Sequence, residues 1–116
     1  MRRMVLAAAA LVLPIAAHAD PDLVASTPAA NASVMGGNVA IRLRYNTAID
    51  HAASLLRLQG PGGVQAPLQI DPASPPDSLW TETSLMPGGY EVLWQARATG
   101  GGVSAGAVPF TVTPNE

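Results

Sequence analysis

Residues 86–96 read Met-Pro-Gly-Gly-Tyr-Glu-Val-Leu-Trp-Gln-Ala. The proline and the two glycines are typical of a chain reversal, and every second residue after them is apolar. Side chains alternate between the two faces of a β-strand, so this spacing puts four apolar side chains on one face. They are Tyr90, Val92, Trp94 and Ala96. The stretch therefore predicts a turn followed by a half-buried strand, with Trp94 in the core.

The same pattern recurs along the chain and predicts an all-β fold. Strands are expected over 38–45, 55–58, 68–70, 79–85 and 108–112. Glycine-rich turns at 60–63 and 99–102 and a proline-rich loop at 71–78 separate them. No ten-residue stretch after the first 19 residues shows helical periodicity. Short strands joined by Gly/Pro turns favour an immunoglobulin-like antiparallel β-sandwich or Greek-key barrel.

The first 19 residues have the pattern of a secretory signal peptide. Arg2 and Arg3 precede an apolar run, and Ala17-His18-Ala19 is a small-x-small cleavage site. The apolar run is shorter than the roughly 20 residues that a membrane-spanning helix needs. We expect cleavage after Ala19, which leaves one domain over 20–116 in the periplasm and no membrane insertion.

Charge and composition exclude several classes of function. Without Arg2 and Arg3, the chain keeps four arginines, no lysine and eight carboxylates, a balance that argues against nucleic acid as a partner. The absence of cysteine excludes disulfides, thiolate metal sites and a blue-copper centre. One histidine in the mature chain and scattered serines offer no nucleophile with an evident base, so we expect no enzymatic activity.

Three residues are candidates for binding a metal ion. Asp20 and Asp22 would lie beside the new α-amino group, and His51 follows Asp50. The alternative interpretation is a solvated terminus for the two aspartates and a solvated loop for His51. The two methionines of the mature chain, at positions 35 and 86, are expected to lie in turns or to fill the core.

Three landmarks in the mature chain resemble the bacterial copper-resistance family CopC. The first is the segment Asp-Pro-Asp-Leu-Val-Ala-Ser-Thr-Pro-Ala at 20–29, and the second is the alternating strand that ends in Tyr45-Asn46-Thr47. The third is Leu-Met-Pro-Gly-Gly-Tyr-Glu-Val-Leu-Trp at 85–94, followed by a Gly-rich loop and a last alternating strand. Together they cover nearly all of the mature chain.

The resemblance implies a periplasmic protein of copper resistance or delivery. In CopC proteins, Cu(II) is held by an N-terminal histidine, a glutamate after the second landmark, and an aspartate and a histidine in the late loop. These positions are Asp20, Thr47, Gly100 and Gly102 here, so all four have lost the family's residue, and only Asp20 has an oxygen that could bind the ion. The family's Cu(I) loop corresponds to 59–67, which contains neither Met nor His.

Two hypotheses follow for the function. In the first, the chain binds or carries copper, weakly because the ligands are replaced, and works with an envelope or inner-membrane copper-handling protein. In the second, it is a metal-free immunoglobulin-like module of the envelope that binds a protein partner.

Overall fold

A computed structural model describes residues 20–114 as eight β-strands. The expected signal peptide, 1–19, lies outside the described residues. The strands are β1 Leu23–Thr27, β2 Ala32–Met35, β3 Gly37–Tyr45, β4 Leu55–Gln59, β5 Gln65–Leu68, β6 Ser78–Leu85, β7 Gly88–Arg97 and β8 Val103–Thr113. Short 3-10 helices lie at His51–Ala53 and Pro61–Gly63. Within 20–114, no helix is long and apolar enough to cross a membrane.

The strands form two sheets, as the predicted sandwich requires. One sheet has the order β1-β3-β6, and the other has the order β2-β8-β7-β4-β5. All pairs are antiparallel except β2 with β8, which run parallel. The all-β prediction is confirmed, and the parallel pair is the one departure from the antiparallel pattern.

The core lies between the inward faces of the two sheets, and it follows the alternation in the sequence. From β3 it takes every second residue from Val39 to Tyr45, and from β7 it takes Val92, Trp94 and Ala96. Val108, Phe110 and Val112 of β8 complete the same layer, so the predicted inner face of the last strand is confirmed. Tyr90 packs against this cluster and stacks on Phe110, with ring centroids 5.8 Å apart.

Three strands differ from the sequence-based prediction. The strands β1 and β2 were not predicted by alternation, because they are short and no residue in either is fully buried. The strand expected at 68–70 ends at Leu68, and Ile70 instead packs against the core from the following loop.

The methionines do not fill the core. The side chain of Met35 is 62 % exposed and that of Met86 is 77 % exposed, which leaves a turn as the other expected position. A turn position is confirmed for Met86, which lies between β6 and β7.

Candidate metal centre

Three segments that are far apart in sequence meet at one end of the sandwich. The backbone N–H of Asp22 donates to Oδ1 of Asn46 at 2.9 Å, and the N–H of Asn46 donates to the carbonyl of Asp22 at 3.0 Å. The N–H of Thr99 donates to the carbonyl of Ala48 at 3.0 Å. The chain before β1, the loop after β3 and the loop between β7 and β8 are thus held together where the resemblance places the Cu(II) ligands.

The late loop is itself closed by backbone hydrogen bonds. The N–H of Ala98 donates to the carbonyl of Gly102 at 2.8 Å, and the N–H of Gly101 donates to the carbonyl of Ala98 at 2.9 Å. An isolated bridge pairs Ile49 with Ala98 and ties the loop to the segment after β3. The backbone at Gly100 and Gly102 is therefore held without any contribution from a ligating side chain.

The donor set at this end does not fit the four-ligand Cu(II) site. Thr47 offers a hydroxyl, and Gly100 and Gly102 have no side chain, whereas Cu(II) prefers imidazole nitrogen. Asp20 keeps a carboxylate and is exposed. The chain retains the arrangement of the three segments and has lost the family's ligand at all four positions, with Asp20 offering an oxygen in place of an imidazole nitrogen.

The electrostatics of the neighbouring surface are mixed. A shallow cleft beside Thr47 is lined by Arg44, Asn46 and Asp77, among others. The Asp77 carboxylate accepts a hydrogen bond from the Ser78 hydroxyl at 2.9 Å. One carboxylate beside one guanidinium does not concentrate the negative charge that attracts a divalent cation.

Asp22 is exposed and its polar groups are turned towards Asn46. Besides the two backbone contacts, Nδ2 of Asn46 lies 3.5 Å from Oδ2 of Asp22. Sequence reasoning did not identify Asn46 as the residue that joins the two segments. Its position directly after the strand-ending Tyr45 was the signal for a role at this end of the sheet.

His51 has a different environment. It is the first residue of the 3-10 helix that Asp50 caps. Oδ1 of Asp50 accepts hydrogen bonds from the N–H groups of Ala52 and Ala53, at 3.1 and 3.2 Å. The Nε2 atom of His51 lies 3.0 Å from the carbonyl of Pro75. A carbonyl can only accept, so this contact places the proton on Nε2, and Nδ1 is the nitrogen left to bind a metal. The ring is half-buried.

The three candidate ligands do not come together as one site. Among residues 20–114, no three His, Asp or Glu side chains lie close enough to hold a metal ion. Asp20 and Asp22 remain at the N-terminal edge, and His51 contacts the loop before β6. Any binding by these residues uses at most two of them together with other donors.

The core next to this end contains two unpaired polar atoms. The hydroxyl of Tyr45 and Nε1 of Trp94 are buried without a hydrogen-bond partner. Burial raises the pKa of Tyr45 well above its usual range. The hydroxyl therefore stays protonated at neutral pH and contributes no negative charge to a metal site.

Comparisons with known proteins give one family match and several similar folds. The CopC domain model matches residues 23–113. The fold is similar to that of CopC from Methylosinus trichosporium OB3b, with a TM-score of 0.71, 24 % identity, and coverage of 83 % of this chain and 96 % of the other. It is also similar to PcoC, a methionine-rich copper resistance protein from Escherichia coli, with a TM-score of 0.66, 24 % identity, and coverage of 82 % and 100 %. No curated protein matches the chain.

Proposed function

Because this chain belongs to the CopC domain family, we propose that it acts in copper resistance or homeostasis in the periplasm, binding or carrying copper ions. The observation that carries the proposal is the family match over nearly the whole described domain. The meeting of the N-terminal segment, the loop after β3 and the late loop at one end adds support, since it is there that the resemblance locates Cu(II).

Copper is bound weakly at this end. Cleavage after Ala19 would give a free α-amino group beside Asp20 and Asp22, and an amine with carboxylate oxygens is a weaker and less selective Cu(II) site than one with imidazoles. Pro21 has no backbone N–H that could be deprotonated to join a chelate ring. His51 provides a separate contact through Nδ1. Weak binding suits exchange of copper with an envelope or inner-membrane copper-handling protein.

Metal competition on the exported protein tests the proposal. The protein is purified from the periplasm, its N-terminus is fixed by intact mass, and it is titrated with Cu(II) and with Cu(I) against chelators of known affinity. Ligand that binds the native state raises thermal stability by mass action, so melting curves distinguish specific from adventitious copper. We expect weak binding with a positive shift.

Matched variants locate the ion. Asp20→Asn should reduce Cu(II) binding, while Glu82→Gln, which removes an exposed carboxylate on β6, should not. His51→Ala separates any contribution of the second contact. Absence of competitive binding in both oxidation states, with normal copper tolerance in a strain that lacks the protein, would overturn the proposal.

A metal-free module that binds a protein partner is the second candidate. It is favoured by the outer face of the three-stranded sheet, where the Arg42 guanidinium lies 4.2 Å from the ring centroid of Trp80. Arg44 is exposed on the same face, so two of the four mature arginines lie together on a chain of net negative charge. This surface fits an acidic segment of a partner.

Periplasmic cross-linking distinguishes this candidate. A cross-linked species that forms with the wild-type protein and is lost in Arg42→Glu/Arg44→Glu would support partner binding through this face. Arg57→Glu, a charge reversal on β4 of the other sheet, is the matched control. An unchanged cross-linking pattern in the double variant would exclude this face as the docking surface.

A further inference from the structure

Both methionines of the described chain lie at the end of the sandwich opposite the candidate metal centre. Met35 ends β2 and pairs with Thr113 of β8, and the chain then crosses through Gly36 to β3 in the other sheet. Met86 lies where the chain crosses in the reverse direction, from β6 to β7. The two crossings are therefore inter-sheet connections at the same end.

The backbones of the two crossings are in contact. Gly37 pairs with Leu85 at the end of the β3–β6 ladder, and Gly36 and Met86 are the chain neighbours just beyond this last pair. A Cβ atom built on Gly36 would lie 3.3 Å from the carbonyl oxygen of Leu85. Met35 and Met86 are each one residue away from this contact. Methionine has three rotatable side-chain bonds, so each sulfur can take up several positions around this contact.

The exposure of these side chains has no packing explanation. Val34 and Leu85, their chain neighbours, pack against the core, whereas Met35 and Met86 point away from it. The turn that carries Met86 is held by the Tyr90 hydroxyl, which donates to the Met86 carbonyl at 2.7 Å. An exposed apolar side chain alone needs no explanation, but two thioethers on adjoining backbone segments form a pair with shared chemistry.

We propose that Met35 and Met86 form a two-thioether site for a soft monovalent cation, Cu(I) or Ag(I). Thioether sulfur selects Cu(I) over harder ions. A thioether binds the ion without losing a proton. The nine residues of β3 separate this end from Tyr45 and Asn46 by about 26 Å, so the ion cannot be shared with Asp20 or Asp22. The loop at 59–67, which contains no sulfur, takes no part.

As a Cu(I) site, this pair rests on the proposed role in copper handling; as a soft-cation site, it stands alone. Silver(I) is therefore the first probe, because it needs no reductant and its binding can be measured whatever the physiological role. If export removes the first 19 residues, as intact mass will show, Met35 and Met86 are the only methionines left. Labelling with [methyl-¹³C]methionine then gives two NMR signals, one for each residue.

Titration with silver nitrate in chloride-free buffer tests the site. We expect both methyl signals to shift together and to saturate at one equivalent. Replacing either residue by leucine, which keeps the volume, should weaken Ag(I) binding about a hundredfold, since two linked donors bind far more tightly than one. Thermal unfolding of Met35→Leu and Met86→Leu shows whether the fold is intact.

Two results would overturn the site: no shift of either methyl signal, or unchanged Ag(I) affinity in a folded single variant. The outcome is separable from that of the proposed function. Loss of Ag(I) binding in Met35→Leu/Met86→Leu with Cu(II) binding intact supports the site, because the other end of the sandwich is untouched. Silver bound by the wild-type protein supports the site even if copper competition and copper tolerance together overturn the proposed function.

Discussion

Tyr45 and Trp94 meet edge to face in the core, with ring centroids 5.2 Å apart and planes inclined by 69°. Each ring buries a polar atom that has no hydrogen-bond partner. The pair joins β3 of one sheet to β7 of the other, so aromatic packing across the sandwich is retained at the cost of two unsatisfied groups. That balance leads to two predictions.

Tyr45→Phe should stabilise the protein. The substitution keeps the ring that contacts Trp94 and removes a buried hydroxyl whose desolvation is not compensated, so the free energy of unfolding should rise by about 1 kcal/mol. Urea denaturation at pH 7, followed by tryptophan fluorescence, measures the change. A loss of stability would show that the hydroxyl is satisfied, for instance by a buried water.

Stability should fall at alkaline pH, and Tyr45 should contribute to the fall. Burial raises the pKa of Tyr45 in the folded protein, while the pKa of this tyrosine in the unfolded chain is about 10. The folded state therefore binds the Tyr45 proton more tightly than the unfolded chain does. This contribution to the free energy of unfolding is complete below about pH 10 and is lost as the pH rises towards the pKa of the folded state. Denaturation midpoints from pH 8 to 11 should decline more steeply for the wild type than for Tyr45→Phe. Equal slopes would contradict the assignment.

Gly106→Ala should destabilise the protein because the Trp94 indole lies against the glycine. A Cβ at position 106 would be 2.7 Å from Cζ2 of Trp94, and relieving that overlap should lower the free energy of unfolding by about 1–3 kcal/mol. Gly89→Ala is the matched control, since no heavy atom lies within 4 Å of its Cβ position. The control should be neutral or gain up to about 1 kcal/mol. If both variants lost a similar free energy of unfolding, the cause would be the replacement of a strand glycine and not the contact with the Trp94 indole.

Restoring the ligand types that the resemblance implies should create a Cu(II) site. The variant combines Asp20→His, Thr47→Glu, Gly100→Asp and Gly102→His. A Cβ at Gly100 has no neighbour within 4 Å, so the loop has room for a side chain there. Chelator competition should show Cu(II) affinity at least about tenfold above wild type. Alanine at the same four positions is the control, and equal affinities in the two variants would show that the end of the sandwich no longer has the required geometry.

The strands that enclose the core could be predicted from the sequence, and the edge strands could not. The alternation in β3, β6, β7 and β8 reflects burial of one face, which is the property that period-two spacing reports. Ala32–Met35 is four residues long and partly exposed, and its parallel partner lies at the other end of the chain. Nothing in its own pattern indicates that pairing.

The candidate site was predicted only as far as the resemblance reached. That resemblance brought Asp20, Thr47 and the late loop to one end, and the hydrogen bonds of Asp22 with Asn46 and of Ala48 with Thr99 agree with it. Periodicity reports which face a side chain occupies but carries no information on contacts between distant loops. The adjoining crossings at Met35 and Met86 were missed for the same reason, because their contact depends on how the two sheets are joined.

The position of β8 has a consequence for how the protein matures after synthesis. This strand lies between β7 and β2, so the larger sheet cannot be completed until Val103–Thr113 is available. Contacts that link distant parts of a chain slow folding, because loop closure must precede the stabilising contacts. A chain that stops before Val103 would leave both β2 and β7 with unpaired backbone, which invites association with other chains. Folding of the larger sheet is thus delayed until Val103–Thr113 has been made.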